Sequence, residues 1–143
     1  MQNFIFKLMW SDLGSLWNNR GIFLFRILVS GELIIVHGLK KIGVGIAQAE
    51  VVPNPFGLPE IVNQIFATGA NLVCPLFIIL GLFTRLATLP ILAVTLTGYF
   101  VVHGNDSLLE RDIPFMFSVA FLFILAVGPG RYSLDDKILL RSK

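Results

Sequence analysis

Apolar residues run along this chain in four segments that are separated by short polar breaks. The first segment, residues 21–41, has a length that at about 1.5 Å per residue matches a bilayer core of roughly 30 Å. A break rich in proline and glycine follows it. Only a few residues separate the second and third segments, and Thr84 is predicted to be the N-cap of the third. The pattern predicts four transmembrane helices, at about residues 21–42, 60–83, 85–103 and 113–128.

The composition supports a membrane protein. The 143 residues are 55% hydrophobic and 14% charged, and the mean hydropathy is +0.80. A soluble domain of this size would expose too much apolar surface to stay monomeric, whereas a bundle of membrane helices needs that surface to face lipid. The sequence therefore predicts one all-α domain, an integral membrane four-helix bundle. A net charge of +2 gives no reason to expect a nucleic-acid partner.

The two ends of the chain are predicted to lie outside the bundle. Residues 1–20 contain two tryptophans and other apolar residues near helical spacing, which predicts an amphipathic helix that lies at the membrane interface. The alternative is a partly ordered tail. Residues 131–143 are predicted to form a polar cytoplasmic tail. The single cysteine, Cys74, rules out an internal disulfide and a CxxC motif, and it is expected to be a buried, inert thiol.

The basic residues predict the orientation. Four crossings place both termini on one side, and that side then collects Lys7, Arg20, Arg85, Arg131, Lys137, Arg141 and Lys143. The opposite side holds Lys40, Lys41 and Arg111 together with five acidic residues. The positive-inside rule therefore places both termini in the cytoplasm.

Ionisable residues within the first span mark it as a functional segment, since each costs a few kcal/mol at membrane depth unless it has a partner. Their spacing, three or four residues, defines a polar stripe that is predicted to face the bundle interior: Arg26, Ser30, Leu33, His37 and Lys41. Glu32 lies on another side of this helix, near mid-membrane. It is predicted to find hydrogen bonds among the mid-depth polar residues of the other spans, Asn71, Thr95, Thr97 and Ser118.

The two histidines of the chain are predicted to lie at the same depth. The first and third spans both run outward, so His37 and His103 reach the outer boundary together. Lys41 follows His37 by one turn, and Glu110 and Arg111 follow His103 in a short acidic loop. A ligand site and a purely structural hydrogen bond are equally consistent with this pattern.

Several short pieces of the sequence stand out in order: Arg26, HGLKK at 37–41, GLFTR at 81–85, VH at 102–103 and GPGRYSLD at 128–135. Taken together, they resemble the DoxX family of small bacterial membrane proteins. The resemblance implies a four-helix protein of the bacterial inner membrane that serves as a subunit of a membrane oxidoreductase, similar to a thiosulfate:quinone oxidoreductase. Such sequences commonly have a glutamate where this chain has Asn71. If that carboxylate carries a proton in related proteins, either Glu32 carries the proton in this chain or the chain lacks that proton transfer.

The leading hypothesis is a subunit that binds a quinone or a small sulfur-containing anion near the outer boundary. His37 or His103 would donate a hydrogen bond to a quinone carbonyl, Lys41 would stabilise developing negative charge, and Glu110 or Asp106 would pass the proton outward. Lys41 and Arg111 would supply the charge for an anion. The predicted catalytic set is His37, His103, Lys41, Glu32 and Glu110. The predicted cofactor-binding set is Arg26, His37, Asn71, His103 and Arg111, with no metal site.

Three alternatives stay open. The first is a haem that the two histidines ligate from opposite faces, although no motif demands it. The second is a scaffold subunit that only packs against a partner, and the third is a small transporter with Glu32 as a proton carrier. The expected partners are lipid and other subunits of a redox complex, and a homo-oligomer is possible.

Overall fold

The structure, a computed structural model, describes residues 16–141. The described chain is helical without strands, which confirms the all-α prediction. Most of the predicted interfacial segment, residues 1–15, lies outside the described residues. The helices are α1 (Leu16–Glu32), α2 (Glu60–Leu80), α3 (Thr84–Thr97), α4 (Asp112–Val127) and α5 (Leu134–Arg141).

Two of these helices continue past their α-helical ends. α1 runs on through a π-helical segment, Leu33–Gly38, and a last α-helical turn, Leu39–Lys41. α3 runs on through a second π-helical segment, Gly98–Val102. A turn of π-helix holds about one residue more than a turn of α-helix, so the helix is wider there. Such segments are frequent at functional sites.

Three stretches of the described chain are long and apolar enough to cross a membrane. They are Asn19–Lys41, Glu60–Leu80 and Thr84–Val102. The fourth bundle helix, α4, is apolar but has only 16 residues, so it is about 24 Å long.

The helices form a closed bundle with two distinct ends. Each of the first three helices packs on the next, and α4 also contacts α1. The backbone N–H of Arg131, just past α4, donates to Asn19 Oδ1 at the start of α1 over 3.0 Å. α4 therefore traverses the bundle. We call the end with Asn19 and Arg131 the Arg26 end, and the opposite end, where α2 begins and both histidines lie, the histidine end.

The predicted polar stripe of the first span faces the bundle interior. Arg26, Ser30, Leu33 and Lys41 are all buried, and His37 is half-buried. All four bundle helices contribute to the apolar core, which consists of Leu33, Ile78, Ala87, Ile91, Leu92, Phe121 and Ile124. The stripe thus carries polar groups along the inner face of a helix whose outer face is apolar.

Arg26 ties together chain segments that are far apart in sequence. Its side chain is fully buried. Nη1 donates to the backbone oxygen of Pro129 over 2.5 Å, and Nη2 donates to that of Tyr132 over 2.8 Å. Gly81 lies close by, and a Cβ there would lie 2.7 Å from Nη1. Three of the sequence pieces that resemble the family therefore meet at Arg26.

The N-terminus of α3 is capped from a distant part of the chain. The predicted N-cap, Thr84, is instead the first residue of the helix, and Phe83 precedes it with a positive φ of 48°. The carboxylate of Asp135 accepts hydrogen bonds from the backbone N–H of Phe83 (2.7 Å) and of Thr84 (3.0 Å). The prediction was wrong because a carboxylate from the start of α5 satisfies the free N–H groups that a local cap would otherwise take.

Candidate ligand site at the histidine end

A cavity of about 470 Å³ lies between the four bundle helices at the histidine end, beneath the loop that joins the first two spans. This volume is within the range of small-molecule sites in proteins. Most of the lining is apolar and includes Leu33, Phe66 and Phe117. The polar side chains in the wall are His37, Lys41, Glu50, Asn63, Asn71, Thr95, Thr97, His103 and Glu110. Both histidines of the chain therefore line one cavity.

His37 has no hydrogen-bond partner among the described residues. It belongs to the first π-helical segment. Its ring meets the ring of Phe117 edge to face, with the centroids 5.3 Å apart. The aromatic contact holds the imidazole in place while none of the described residues uses its N–H. His37 is thus positioned to donate a hydrogen bond to a ligand.

His103 is held by a carboxylate. It follows the second π-helical segment directly. Its Nδ1 lies 2.7 Å from Asp106 Oδ2, and both side chains are partly exposed. A carboxylate on Nδ1 fixes the orientation of the ring and leaves Nε2 for another partner. Since His103 lines the cavity and Asp106 does not, the pair connects the cavity with the surface.

Asn71 presents an amide whose oxygen has no hydrogen-bond partner in the part of the chain that the structure describes. Only 4% of this residue is exposed. Its Oδ1 is buried and accepts no hydrogen bond from any described residue. A buried polar group without a partner costs roughly 1–3 kcal/mol, so such groups usually mark a ligand or water position.

Gly38 brings the first two spans together next to this amide. A Cβ on Gly38 would lie 2.5 Å from the backbone oxygen of Asn71 and 2.8 Å from Leu72 Cδ2. Only glycine allows this approach, as is common where membrane helices cross closely. The glycine of the HGLKK piece therefore places His37 and Asn71 in the same cavity.

Lys41 and Glu50 form a long ion pair in the cavity wall. Lys41 Nζ lies 3.9 Å from Glu50 Oε2, and 9% of Lys41 is exposed. The loop folds back because the backbone N–H of Glu50 donates to the oxygen of Lys40 over 3.0 Å. The Gln64 amide donates to the oxygen of Lys41 over 3.2 Å. No local pattern in a loop of glycines and prolines reveals this fold-back, so sequence reasoning missed Glu50.

The other predicted site residues do not all line this cavity. Glu110 lines the cavity, but its carboxylate accepts from the N–H (3.0 Å) and hydroxyl (3.1 Å) of Ser107. Arg111 does not line it; its Nη1 donates to the oxygen of Gly104 over 3.2 Å, and its guanidinium lies 5.3 Å from the Tyr99 ring centroid. Arg26 lies at the opposite end.

Glu32 is exposed on the outside of the first span and does not reach its expected partners. Ser118 Oγ instead lies 2.9 Å from Thr95 Oγ1 and 2.7 Å from the backbone oxygen of Pro114. Asn71 and Thr97, the remaining candidates at this level, line the cavity.

The described residues contain no group of three or more histidine, cysteine or acidic side chains that could hold a metal ion.

The family model for DoxX matches residues 21–104 of the chain, which is more than half of it. The chain belongs to the DoxX family. This confirms the resemblance and makes the protein a small membrane protein. The DoxX match contains Arg26, HGLKK, GLFTR and both histidines, whereas GPGRYSLD lies beyond it.

This DoxX chain is also similar to an uncharacterized protein of Haemophilus influenzae. The two are 29% identical over 91 residues, which cover 60% of this chain and 60% of the relative. The chain thus spans less than two thirds of the length of that protein. No solved structure matches the chain significantly.

Proposed function

We propose that this DoxX protein binds the head group of a quinone in the cavity at the histidine end and serves as a membrane subunit of an oxidoreductase. The observation that carries the proposal is the meeting of two imidazoles and the buried amide of Asn71 in one largely apolar cavity. Small-molecule sites commonly combine an apolar wall with a few polar groups that fix orientation. A quinone has this character, since it is a flat, uncharged ring with a polar oxygen on two edges.

The residues present fit such a ligand. When bound, a quinone would supply two-electron, two-proton redox chemistry. His37, whose ring has no hydrogen-bond partner within the described chain, donates a hydrogen bond to a ligand oxygen. Since a quinone carbonyl only accepts, Asn71 would donate to it from the amide nitrogen, or would accept at Oδ1 from the hydroxyl of the reduced ring. The apolar wall around Leu33 and Phe117 packs on the ring.

His103 is the group that moves a proton. Its Nε2 takes a proton from the cavity or returns one to it, while Asp106 on Nδ1 keeps the ring oriented. Because Asp106 is partly exposed, the pair connects the cavity to the aqueous phase. Asp106 suits this role better than Glu110, whose carboxylate is held by Ser107. Electrons enter from a separate subunit, since the sequence has no flavin, nicotinamide or iron–sulfur motif.

We also place the protein in the bacterial inner membrane as a multi-pass protein with both termini in the cytoplasm. The support is the excess of lysine and arginine that the sequence gathers around the Arg26 end. The histidine end, and with it the proton exit at Asp106, then faces outward.

Titration of the purified protein with a short-chain quinone analogue tests the proposal. We expect His37→Leu and His103→Leu each to weaken binding roughly tenfold, which corresponds to one lost hydrogen bond in a buried site. Tyr132→Leu at the Arg26 end is the control and should bind as the wild type does. Wild-type affinity in both histidine variants, with the fold intact, overturns the proposal. The visible spectrum of the same preparation shows whether haem is present.

The exposed position of Glu32 supports a second candidate function, that of a scaffold subunit. Its carboxyl lies between Leu28 and Ile35 on an exposed apolar face of the first span. A carboxyl in lipid is costly, so a partner helix that covers this face would be favoured. An isolated protein that binds no quinone analogue supports the scaffold. The transport alternative loses its support, since Glu32 does not line the cavity.

A further inference from the structure

Two of the three groups in the cavity wall that can carry positive charge, Lys41 and His103, have a carboxylate beside them. Lys41 is the one lysine or arginine in the described lining, and Glu50 lies 3.9 Å from its Nζ. His103 has Asp106 at 2.7 Å. His37 meets the apolar face of the wall at Phe117.

We infer that Glu50 determines the charge of the ligand: it neutralises Lys41, so that the cavity accepts an uncharged head group and excludes small anions. The inference rests on the proposed function, because it names the class of ligand that the same cavity takes. It decides between the two ligands that the sequence left open, a quinone and a small sulfur-containing anion.

Glu50 is held beside Lys41 by the backbone of its own loop. Its N–H donates to the oxygen of Lys40, the neighbour of its ion-pair partner, over 3.0 Å. Just beyond it, the side-chain amide of Asn63 donates to the backbone oxygens of Val52 (3.4 Å) and Pro53 (3.1 Å). The loop backbone is therefore pinned at Glu50 and just beyond it, which keeps the Glu50 carboxylate within reach of Lys41.

An anion that entered the cavity would meet more negative than positive charge. It would have to displace the carboxylate of Glu50 to reach Lys41, and Glu110 is a second carboxylate in the same wall. Lys41 is nearly buried, so water screens its charge less than the charges of the exposed carboxylates of Glu50 and Glu110. Arg111, which was expected to help to hold an anion, is bound to Gly104 outside the cavity lining.

Binding of thiosulfate and of a neutral short-chain quinone analogue to Glu50→Gln at low salt tests the inference. We expect the variant to bind thiosulfate roughly tenfold more tightly than the wild type, or better, because Lys41 is then an unpaired cation. Quinone affinity should change less than about threefold. Glu60→Gln is the matched control: Glu60 is exposed at the start of α2 and outside this cavity, so neither ligand should respond.

A Lys41→Gln/Glu50→Gln double variant should lose the gained thiosulfate binding, which assigns the gain to Lys41. Unchanged thiosulfate affinity in Glu50→Gln overturns the inference, and so does a wild type that already binds thiosulfate as tightly as the variant. A wild type that binds no quinone, with a Glu50→Gln variant that gains thiosulfate, overturns the proposed function and leaves the role of Glu50 standing.

Discussion

The two ends of this bundle use polar side chains in opposite ways. At the Arg26 end, the guanidinium of Arg26, the carboxylate of Asp135 and the amide oxygen of Asn19 each bind backbone groups far away in sequence. At the histidine end, His37 and Asn71 face a cavity and keep hydrogen-bonding capacity that the described chain does not use.

The backbone shows the same difference. Both π-helical segments lie at the histidine end, one containing His37 and the other directly before His103. At the Arg26 end the chain instead makes short, tightly bonded turns around Gly81 and Ser133. The comparison indicates that polar side chains hold the fold together at the Arg26 end, and it supports the proposal that the histidine end binds a ligand.

Arg26→Ala should have the largest effect on stability. It leaves the backbone oxygens of Pro129 and Tyr132 without donors, and each hydrogen bond to a charged group is worth about 1.5–3 kcal/mol. We expect a loss of roughly 3 kcal/mol or more, measured as thermal unfolding in detergent by circular dichroism. Arg85→Ala is the control, since Arg85 is exposed and makes one 3.3 Å bond to Ala126. If the two variants melt together, Arg26 does not hold this end.

Gly38→Ala should damage both stability and ligand binding. Its Cβ would clash with the backbone oxygen of Asn71 and force the first two spans apart, at a cost of about 1–3 kcal/mol. Gly31→Ala is the matched control, because a Cβ there meets no atom within 4 Å. The melting temperature and quinone affinity of both variants check this. Equal behaviour of the two would contradict a close crossing at Gly38.

Asp135→Ala should cost about 1 kcal/mol, the usual worth of a helix cap, because the N–H groups of Phe83 and Thr84 lose their acceptor. Quinone affinity should stay at the wild-type value, since Asp135 lies at the other end of the bundle. Asp136→Ala should have little effect, as its carboxylate accepts no hydrogen bond from the described residues. A loss of quinone binding in Asp135→Ala would show that the two ends are coupled.

Glu32→Leu should have the smallest effect. The carboxyl is exposed on an apolar face and has no bonding partner among the described residues, so leucine should leave the isolated protein in lipid vesicles as stable or slightly more stable. Thermal unfolding of Glu32→Leu beside Glu32→Gln measures this. A clear loss of stability in both variants would mean that the carboxylate holds the fold together.

The fold could be predicted because it follows from local patterns. Four apolar segments, their breaks and the spacing of the polar stripe are all visible in the sequence, and a stripe of ionisable residues in a membrane helix has to face inward. The cap of α3 could not be predicted, because Asp135 reaches it from residues far along the chain. The helix at Leu134–Arg141 also departs from the simple polar tail that composition suggests.

The site could be predicted only in part. An even number of crossings was enough to predict that His37 and His103 lie at the same end of the bundle, where they line one cavity. The three-residue spacing between His103 and Asp106 was a signal for their pairing that the prediction did not use. Glu50 and the two π-helical segments depend on how the loop and the widened helix ends fold, which no local pattern specifies. Glu32 was placed wrongly relative to its expected partners because Thr95 and Ser118 bind each other instead.

Photolabelling with an azido-quinone analogue, followed by mass spectrometry of the labelled peptides, tests most directly whether the histidine end holds the ligand. We expect the label in the loop at Val52–Leu58 and in the cavity-lining residues of α4 around Phe117, and we expect an excess of unlabelled quinone to suppress it. Label at the Arg26 end, or label spread evenly over the lipid-facing residues and unaffected by competitor, would contradict the assignment.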